Sequence, residues 1–240
     1  SAFSNNQKLV NLHMPTNVVL YTQAFYNTGL KHIDLKNAEF DGISQFELCT
    51  YLESIVLGPY MTVIPDRFCY GCINLKTITT NCFGSTNERV IVNGLLGSLT
   101  FDTVKNQPVA ILDDTNEKCP TSFEECRLAP KLLNIGAEAF YWCGRLAQVN
   151  LWNTHRIKTR AFKNSGLKSV LTRAIIDYSA FASCPRLSTA ILPTQTKLPA
   201  HIFSNCANLT TLNLYASEIG AYAFAGCRNL HVTFTSTEPS

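Results

Sequence analysis

Charged side chains are scarce in this chain of 240 residues: Asp, Glu, Lys and Arg make up 15% of it, against about a quarter in most soluble proteins. Uncharged polar residues must therefore cover much of the surface. The formal net charge of +3 is too small to indicate a nucleic-acid binder. No apolar run approaches the roughly 18 residues of a membrane helix, so we expect no membrane span. The first residues lack the basic start and apolar core of a secretion signal, so any targeting segment has been removed or lay upstream.

Signatures of catalysis are missing as well. Each of the five histidines lies in a different part of the chain, and no two have the i, i+4 spacing of a shared site on one helix face. There is no Gly-x-Ser-x-Gly elbow, phosphate-binding loop or His-Glu-x-x-His motif. We therefore predict that the chain is not an enzyme and that it uses no cofactor and no metal.

What the sequence does contain is a motif that returns about every 21 residues. Ile135–Cys143 reappears as Ile219–Cys227, and related copies begin at Ile157, Ile176 and Leu198. With the apolar pattern that follows each copy, the unit reads Ile-Gly/Pro-x-x-Ala-Phe-x-x-Cys-x-x-Leu-x-x-Ile-x-Leu. A period of this length is typical of a solenoid. The Phe position of the unit is filled in turn by Phe3, Phe25, Phe46, Cys69, Phe140, Phe162, Phe181, Phe203 and Phe224.

The two halves of the unit predict different local structures. The Leu-x-x-Ile-x-Leu half alternates apolar and polar residues at its end, as a short strand with one buried face requires. The Ala-Phe half has helical spacing, but its length leaves room only for a short 3₁₀ or α turn. Because no single unit can bury its own apolar side, the units must stack. The predicted fold class is α/β: a solenoid of short parallel strands with short 3₁₀ or α turns on the opposite side, in about 9 to 10 turns.

These residues resemble the leucine-rich repeat superfamily and, within it, the BspA-like class, whose repeats carry an Ala-Phe-x-x-Cys-x-x-Leu signature. The resemblance covers residues 2–78 and 135–234. It implies a right-handed leucine-rich solenoid in secreted or surface proteins of bacteria and parasitic protists, often adhesins that bind host matrix proteins or other cells. The function is implied by the resemblance alone, because one fold hosts many functions.

The repeat pattern divides the chain into three segments. Residues 1–78 form an N-terminal run of the solenoid and residues 131–240 form a C-terminal run. Residues 79–130 depart from the pattern and are interpreted as an insertion or degenerate repeats, with a domain boundary as the alternative. Within this segment, Val90 to Phe101 is interpreted as a hairpin with Asn93-Gly94 as its turn, and Lys105 to Pro120 as a loop.

The repeat also accounts for most of the ten cysteines. The Cys position of the unit holds Asn6, Thr28 or Ser165 in other copies, so it favours a small, mostly buried side chain. A redox or zinc role for Cys69-x-x-Cys72 is the alternative, although no second pair at zinc spacing exists. Three cysteines outside the register, Cys82, Cys119 and Cys126, are the candidates for disulfides. The thiols expected to be unpaired in the repeat position are Cys49, Cys72, Cys143, Cys184, Cys206 and Cys227.

Positive charge is concentrated in the second half of the chain. Residues 1–120 contain 8 basic and 11 acidic side chains, residues 121–240 contain 12 and 6, and residues 139–176 contain no acidic side chain. Alternating basic residues in this acid-free stretch would point the same way on an extended backbone. They form a candidate patch for an anionic partner, such as an acidic protein surface or a sulfated or sialylated glycan, with a solvated flank as the alternative. The candidate residues are Arg156, Lys158, Arg160, Trp152 and His155.

The outward positions of the predicted strands form the second candidate surface. They are mostly polar, with a short apolar strip at Leu171 and Ile191, a composition compatible with protein recognition. A hydrated strand face is the alternative. In the C-terminal run these positions are Gln148, Asn150, Ser169, Leu171, Thr189, Ile191, Thr211 and Asn213. In the N-terminal run they are Asn11, His13, His32, Asp34, Ser54, Val56, Thr77 and Thr79.

These observations favour a non-enzymatic module that binds a protein or an anionic glycan, of the adhesin type and located at the cell surface or secreted. The alternative is an intracellular leucine-rich repeat scaffold or structural protein with reduced cysteines. Neither end of the repeat array shows a capping element, so we expect that the end columns are exposed and that the chain either belongs to a longer array or associates end to end. Those columns consist of Phe3, Leu9 and Leu12 at one end and Phe224, Leu230 and Phe234 at the other.

Overall fold

The computed structural model describes residues 1–15, 17–36, 38–58, 63–81, 90–92, 97–102, 107–111, 133–149, 151, 154–192 and 197–234, with backbone alone for 79–81, 90–92, 97–102, 107–111, 133 and 233–234. They form a parallel-strand solenoid of about seven turns, fewer than the 9 to 10 predicted. No helix in the described ranges is long and apolar enough to cross a membrane.

Most turns contribute one or two short strands. In chain order they are β1 (Val18–Tyr21), β2 (His32–Leu35), β3 (Ala38–Asp41), β4 (Ser54–Leu57), β5 (Val63–Ile64), β6 (Thr77–Asn81), β7 (Val90–Val92), β8 (Gly97–Asp102), β9 (Gln107–Ile111), β10 (Leu133–Ile135), β11 (Thr154–Ile157), β12 (Ser169–Leu171), β13 (Ile175–Ile176), β14 (Thr189–Leu192), β15 (Lys197–Leu198), β16 (Thr211–Leu214), β17 (Glu218–Ile219) and β18 (His231–Phe234).

The Leu-x-x-Ile-x-Leu segments form the parallel strands that the sequence predicts, and we call the side of the solenoid that carries them the sheet side. In the N-terminal run the order is β2-β4-β6, and in the C-terminal run it is β12-β14-β16-β18. Alternate residues of each strand point inward: Ile55 and Leu57 of β4 are 0% and 1% exposed, whereas Ser54 and Val56 are half-buried. A one-residue shift in register would exchange the two sets.

The opposite side, the turn side, carries the Ala-Phe segments. There, backbone N–H groups alternate between two kinds of partner. The Phe162 N–H donates to the Ala180 carbonyl of the next turn at 2.9 Å, whereas the Lys163 N–H donates three residues back, to the Arg160 carbonyl. Arg160 and Asn164 have positive φ angles of 55° and 59°, which no right-handed helix contains. The predicted 3₁₀ or α turns are therefore not confirmed. This side consists of hydrogen-bonded turns, because alternate N–H groups donate to carbonyls of the next turn and form a hydrogen-bond ladder along the solenoid.

The Phe position forms the centre of the core. Phe140, Phe162, Phe181 and Phe203 are all 0% exposed. Their rings stack with centroid separations of 5.2 Å, 5.5 Å and 5.7 Å and interplanar angles below 20°. In the fourth turn Cys69 occupies this position, as predicted: its N–H donates to the Ala139 carbonyl of the next turn, and the N–H of Phe140 donates in the same way to the Ala161 carbonyl. The ring of the preceding residue, Phe68, supplies the missing bulk. It lies edge-on against Phe46 at 5.3 Å and Phe40 at 5.2 Å.

The two runs are joined directly on the turn side. Strand β5 pairs in parallel with β10, with Ile64 opposite Ile135. The Cys69 N–H donates to the Ala139 carbonyl at 2.7 Å. Gly136 lies so close to the preceding turn that a Cβ atom there would stand 2.4 Å from the backbone nitrogen of Asp66. The backbone of residue 136 therefore packs against the earlier turn without an intervening side chain.

On the sheet side, the segment between the runs extends the N-terminal sheet to β2-β4-β6-β7-β8-β9. The predicted hairpin from Val90 to Phe101 is wrong, because β7 and β8 pair in parallel. The antiparallel hairpin is formed instead by β8 and β9, with Leu99 opposite Ala110. Gln107–Ile111, which the sequence assigned to a loop, is therefore a strand. The proposed turn at Asn93-Gly94 lies outside the described residues.

The end columns are partly open. Phe3 is 44% exposed, although its ring stacks on Phe25 at 5.3 Å. At the other end Phe224 and Leu230 are half-buried, and Phe234 is described by its backbone alone. End-to-end association stays a prediction.

Candidate functional site

The predicted outward residues of the C-terminal sheet lie in two straight rows. Strand register places Ser169 beside Thr189 and Thr189 beside Thr211 in one row. In the second row Leu171 lies beside Ile191, and Ile191 lies beside Asn213. Parallel strands are about 4.8 Å apart, so each row is a continuous line of side chains. Gln148 is exposed, and Asn150 lies outside the described residues.

These rows combine a polar margin with an apolar centre. Leu171 and Ile191 are half-buried, in contrast to the fully buried Ala190 and Leu192 that alternate with them. A half-buried apolar pair on the outward face of the sheet can contact a partner without any movement of the backbone. The sequence predicts this arrangement from period-two alternation alone.

The N-terminal sheet face has a different shape, which the sequence does not predict. It contains a shallow depression of about 440 Å³. In it the His32 imidazole Nδ1 and the Ser54 hydroxyl are 2.7 Å apart, and Asp34 pairs with Lys36 at 3.3 Å. The one signal in the sequence is that His13 and His32 take equivalent outward positions in successive turns. The depression is lined by Asn11, Leu12, His13, His32, Ile33, Asp34, Ser54 and Val56.

The candidate basic patch is paired with acidic residues from other turns. Arg156 donates to both carboxylate oxygens of Asp177, at 2.9 Å and 3.2 Å. The Lys158 ammonium lies 3.1 Å from Asp66. The three basic side chains of the patch remain 44–49% exposed, so their positive charge is offset but they are not covered.

The remaining members of the patch differ in their partners and exposure. Arg160 pairs with Glu138 at 3.3 Å. His155 is exposed on β11, and Trp152 lies outside the described residues. The sequence misses these acidic partners because it shows only acids that are near along the chain. Asp66 is 92 residues from Lys158, yet the parallel pairing of the turns makes them neighbours. Binding of an anionic partner by this patch stays a prediction.

An ion-pair network crosses the junction of the two runs on the turn side. The Arg67 guanidinium donates to Glu47 at 2.5 Å and to Glu138 at 2.9 Å, and Glu138 in turn accepts from Arg160. Burial would raise the pKa of Glu47, but hydrogen bonds from Arg67 and Ser44 and the charge of Arg67 lower it below 4.5. The Glu47 hydrogen bond raises the pKa of Arg67. The network holds four charged side chains in fixed positions.

The cysteines of the repeat position are free thiols in the described ranges, and each repeats one contact. The Cys143 sulfur donates to the Cys69 carbonyl at 3.2 Å, and the Cys184 sulfur donates to the Phe162 carbonyl at 3.1 Å. The acceptor is always the Phe-position carbonyl of the preceding turn. Thr28 and Ser165 fill the same buried position, and their hydroxyl oxygens lie 3.3 Å and 3.4 Å from the sulfurs of Cys49 and Cys184 in the next turn.

Burial makes these thiols poor nucleophiles. Burial raises the pKa of Cys49 to about 12 and raises the pKa of Cys143. The repeat position is expected to be mostly buried, and Cys184 and Cys206 are buried, but Cys227 on the last described turn is half-exposed. In the described part of the chain, no group of three His, Cys, Asp or Glu side chains is arranged to hold a metal ion.

Stacked short units, Phe and Cys columns, and short parallel strands on the sheet side define this chain as a leucine-rich repeat solenoid. Residues 1–89 and 109–231 match the model of the BspA type leucine rich repeat region, in 6 copies. The chain belongs to this family. Comparison with curated proteins finds no matching sequence.

Similar solved structures include a leucine-rich repeat protein of T. pallidum with 20% identity, where the match covers 89% of this chain and 72% of that one with a TM-score of 0.46. Another, from Bacteroides ovatus, has 14% identity over 98% and 80% of the two chains with a TM-score of 0.44. A leucine rich cell surface protein from Faecalibacterium prausnitzii has 16% identity over 95% and 75% with a TM-score of 0.32. These values are too low to support an argument about function.

Proposed function

We propose that this chain is a non-enzymatic recognition module that binds a protein ligand through the sheet face of its C-terminal run. The observation that carries the proposal is the register that puts Leu171 and Ile191 side by side within a polar surface. Protein interfaces commonly have an apolar core surrounded by a polar margin. The polar row of Ser169, Thr189 and Thr211 beside this pair would help to fix the orientation of the ligand.

A double substitution tests this proposal. Leu171→Ser with Ile191→Ser removes the apolar centre, and we expect it to weaken binding to a protein found in a screen of matrix and cell-surface proteins at least about tenfold. Val56→Ser is the matched control, because Val56 occupies the equivalent half-buried outward position on β4. Equal binding by the double variant and the parent, or equal loss with Val56→Ser, would remove the C-terminal sheet face as the site.

The basic patch is proposed as a second contact, for an acidic part of the ligand. Its side chains are half-exposed, and each could exchange its present carboxylate for one on the partner. Changing Arg156, Lys158 and Arg160 together to Ser should reduce the salt dependence of binding. Binding measured at two salt concentrations, with an unchanged slope in the triple variant, would show that the patch is a solvated flank.

Adhesion at the cell surface is the biological role that we propose for this binding, and family membership supports it. An intracellular scaffold is the second candidate, favoured by the seven free cysteines of the described residues, since thiols persist in reducing compartments. Mass spectrometry of native material decides between them. A disulfide among Cys82, Cys119 and Cys126 supports the surface role, whereas complete reduction of all cysteines supports the scaffold.

A further inference from the structure

Three aromatic side chains from two successive turns form a row on the outer surface of the turn side. The Tyr70 and Tyr141 rings stack with centroids 5.1 Å apart and planes 7° from parallel. The Trp142 ring lies 5.7 Å from Tyr141 at an angle of 37°. Trp142 is 52% exposed, and the two tyrosines are half-buried. We call these three residues the aromatic platform.

Trp142 has a conformation that its residue type disfavours. Its φ is +62°, and bulky residues seldom adopt positive φ angles because Cβ then crowds the backbone. The hydrogen-bond ladder makes this position equivalent to Asn164 and Asn205, residues that tolerate this backbone. Most other turns also place Asn, Ser or Gly at this position: Asn5, Asn27, Gly71, Ser183 and Gly226. A strained, half-exposed tryptophan adds little to stability, and such strain is often retained for function.

The platform is held in place before any ligand arrives. The Tyr141 carbonyl accepts from the Gly71 N–H at 2.8 Å, and the Trp142 N–H donates to Lys163 at 3.0 Å. The Arg67 guanidinium covers one ring, with its central carbon 4.0 Å from the Tyr70 centroid. The Lys163 ammonium lies 6.0 Å from the Tyr141 centroid. Each tyrosine ring thus has a positively charged side chain beside it.

We propose that the aromatic platform binds a saccharide, with a pyranose ring packed on the exposed face of Trp142. The C–H groups of a pyranose carry partial positive charge and pack against the negative face of an aromatic ring. A hydroxyl group of a sugar on the platform would lie near the ammonium of Lys163, which is 6.0 Å from the Tyr141 centroid. Three rings offer far less than the roughly 800 Å² that a stable protein interface buries on each partner. This size favours a sugar over a protein.

The proposed saccharide site is separate from the sheet face and does not depend on protein binding there. Neutral hexoses and sialylated sugars share the pyranose ring that the platform would recognise. A carboxylated sugar would gain from the positive charge of Lys163. Lys163→Met distinguishes the two kinds: it should weaken binding of a sialylated sugar more than binding of a neutral one.

The decisive variant is Trp142→Asn, tested in the full chain against a glycan array and then by titration calorimetry. Asn is the residue that equivalent positions use, so the variant should fold and keep or slightly raise the melting temperature. Saccharide affinity should fall at least about tenfold, the effect of removing one major aromatic contact. Tyr222→Ala is the control, because Tyr222 is 69% exposed but lies on the last described turn, away from the platform; it should leave affinity unchanged.

Several results would overturn the proposal. One is a parent chain that binds no saccharide on the array, and another is a Trp142→Asn variant that binds as tightly as the parent. A clear drop in melting temperature for Trp142→Asn would show that the tryptophan is structural. If the same variant loses binding to a protein ligand but keeps its binding to sugars, the platform belongs to a protein partner.

Discussion

The turn side and the sheet side of this solenoid respond differently to the segment between the two runs. On the turn side the backbone ladder passes from Cys69 directly to Ala139, and β5 pairs with β10. On the sheet side the strand that follows β6 in the sheet is β7, so the N-terminal sheet continues into the inserted strands.

The difference shows where a solenoid tolerates extra residues. An insertion whose two ends both join the sheet side of the solenoid adds little to the entropic cost of loop closure, because that cost rises only with the logarithm of loop length. The opposite side keeps its ladder, its stacked rings and its ion pairs. We infer that the turn side maintains the fold across the junction, while the sheet side is free to vary in length.

The largest expected effect comes from breaking the ring stack of the turn side. Phe162→Ala removes a fully buried ring between Phe140 and Phe181 and should lower the free energy of unfolding by about 3–5 kcal/mol. Leu171→Ala on the outward sheet face should cost less than about 1 kcal/mol. Urea denaturation measures both. Similar costs for the two variants would contradict the division of roles between the sides.

The second test acts on the junction itself. Gly136→Ala would place a Cβ 2.4 Å from the backbone of Asp66, and the two runs would have to separate, at a cost of about 1–3 kcal/mol. Gly144→Ala is the matched control, because nothing lies within 4 Å of the new Cβ. That variant should be neutral within about 0.5 kcal/mol. If Gly136→Ala is equally neutral, the close contact between the runs does not exist in solution.

The third test concerns the ion pairs of the turn side and their dependence on pH. The pKa of Glu47 is lowered when folded, so its contribution to stability is present above the ordinary pKa of 4.5 and is lost as pH falls through the folded value. Glu47→Gln should cost about 1–2 kcal/mol at neutral pH and should flatten the decline of stability in acid.

Its control comes from the sheet side. Glu53 precedes β4 and pairs with Lys76 on the exposed surface. Glu53→Gln should leave the unfolding free energy almost unchanged, because exposed pairs contribute little. Denaturation curves at pH 7 and in mild acid would contradict the prediction if both variants show the same pH dependence as the parent.

The smallest effect is a difference in labelling rates along the cysteine column. Burial raises the pKa of Cys227 as well, but this thiol is half-exposed, whereas Cys143 is 0% exposed. A thiol reagent should therefore modify Cys227 in the native state well before Cys143, as peptide mass spectrometry can show. Equal rates would mean that the column opens as a unit. Cys227→Ser should remove the fast signal at that site and nothing else.

Much of the fold was predictable because its rules are local. A period of about 21 residues, period-two alternation and a repeated Ala-Phe signature were enough to place the strands, the Phe column and the Cys position. The same alternation placed Leu171 and Ile191 on the outward face. The hairpin at Val90 was wrong and the short helical turns were not confirmed, because hydrogen-bond partners in neighbouring strands and turns decided those conformations.

The sequence by itself determined the repeat, the inward and outward residues of each strand and the burial of the Phe and Cys positions, because these depend on side-chain spacing within one unit. The tertiary structure alone decided which units become neighbours across the segment between the runs. That choice placed Asp66 beside Lys158 and Tyr70 beside Tyr141. Spacing along the chain cannot show such contacts, since electrostatic pairing and ring stacking act through distances of a few ångströms in space.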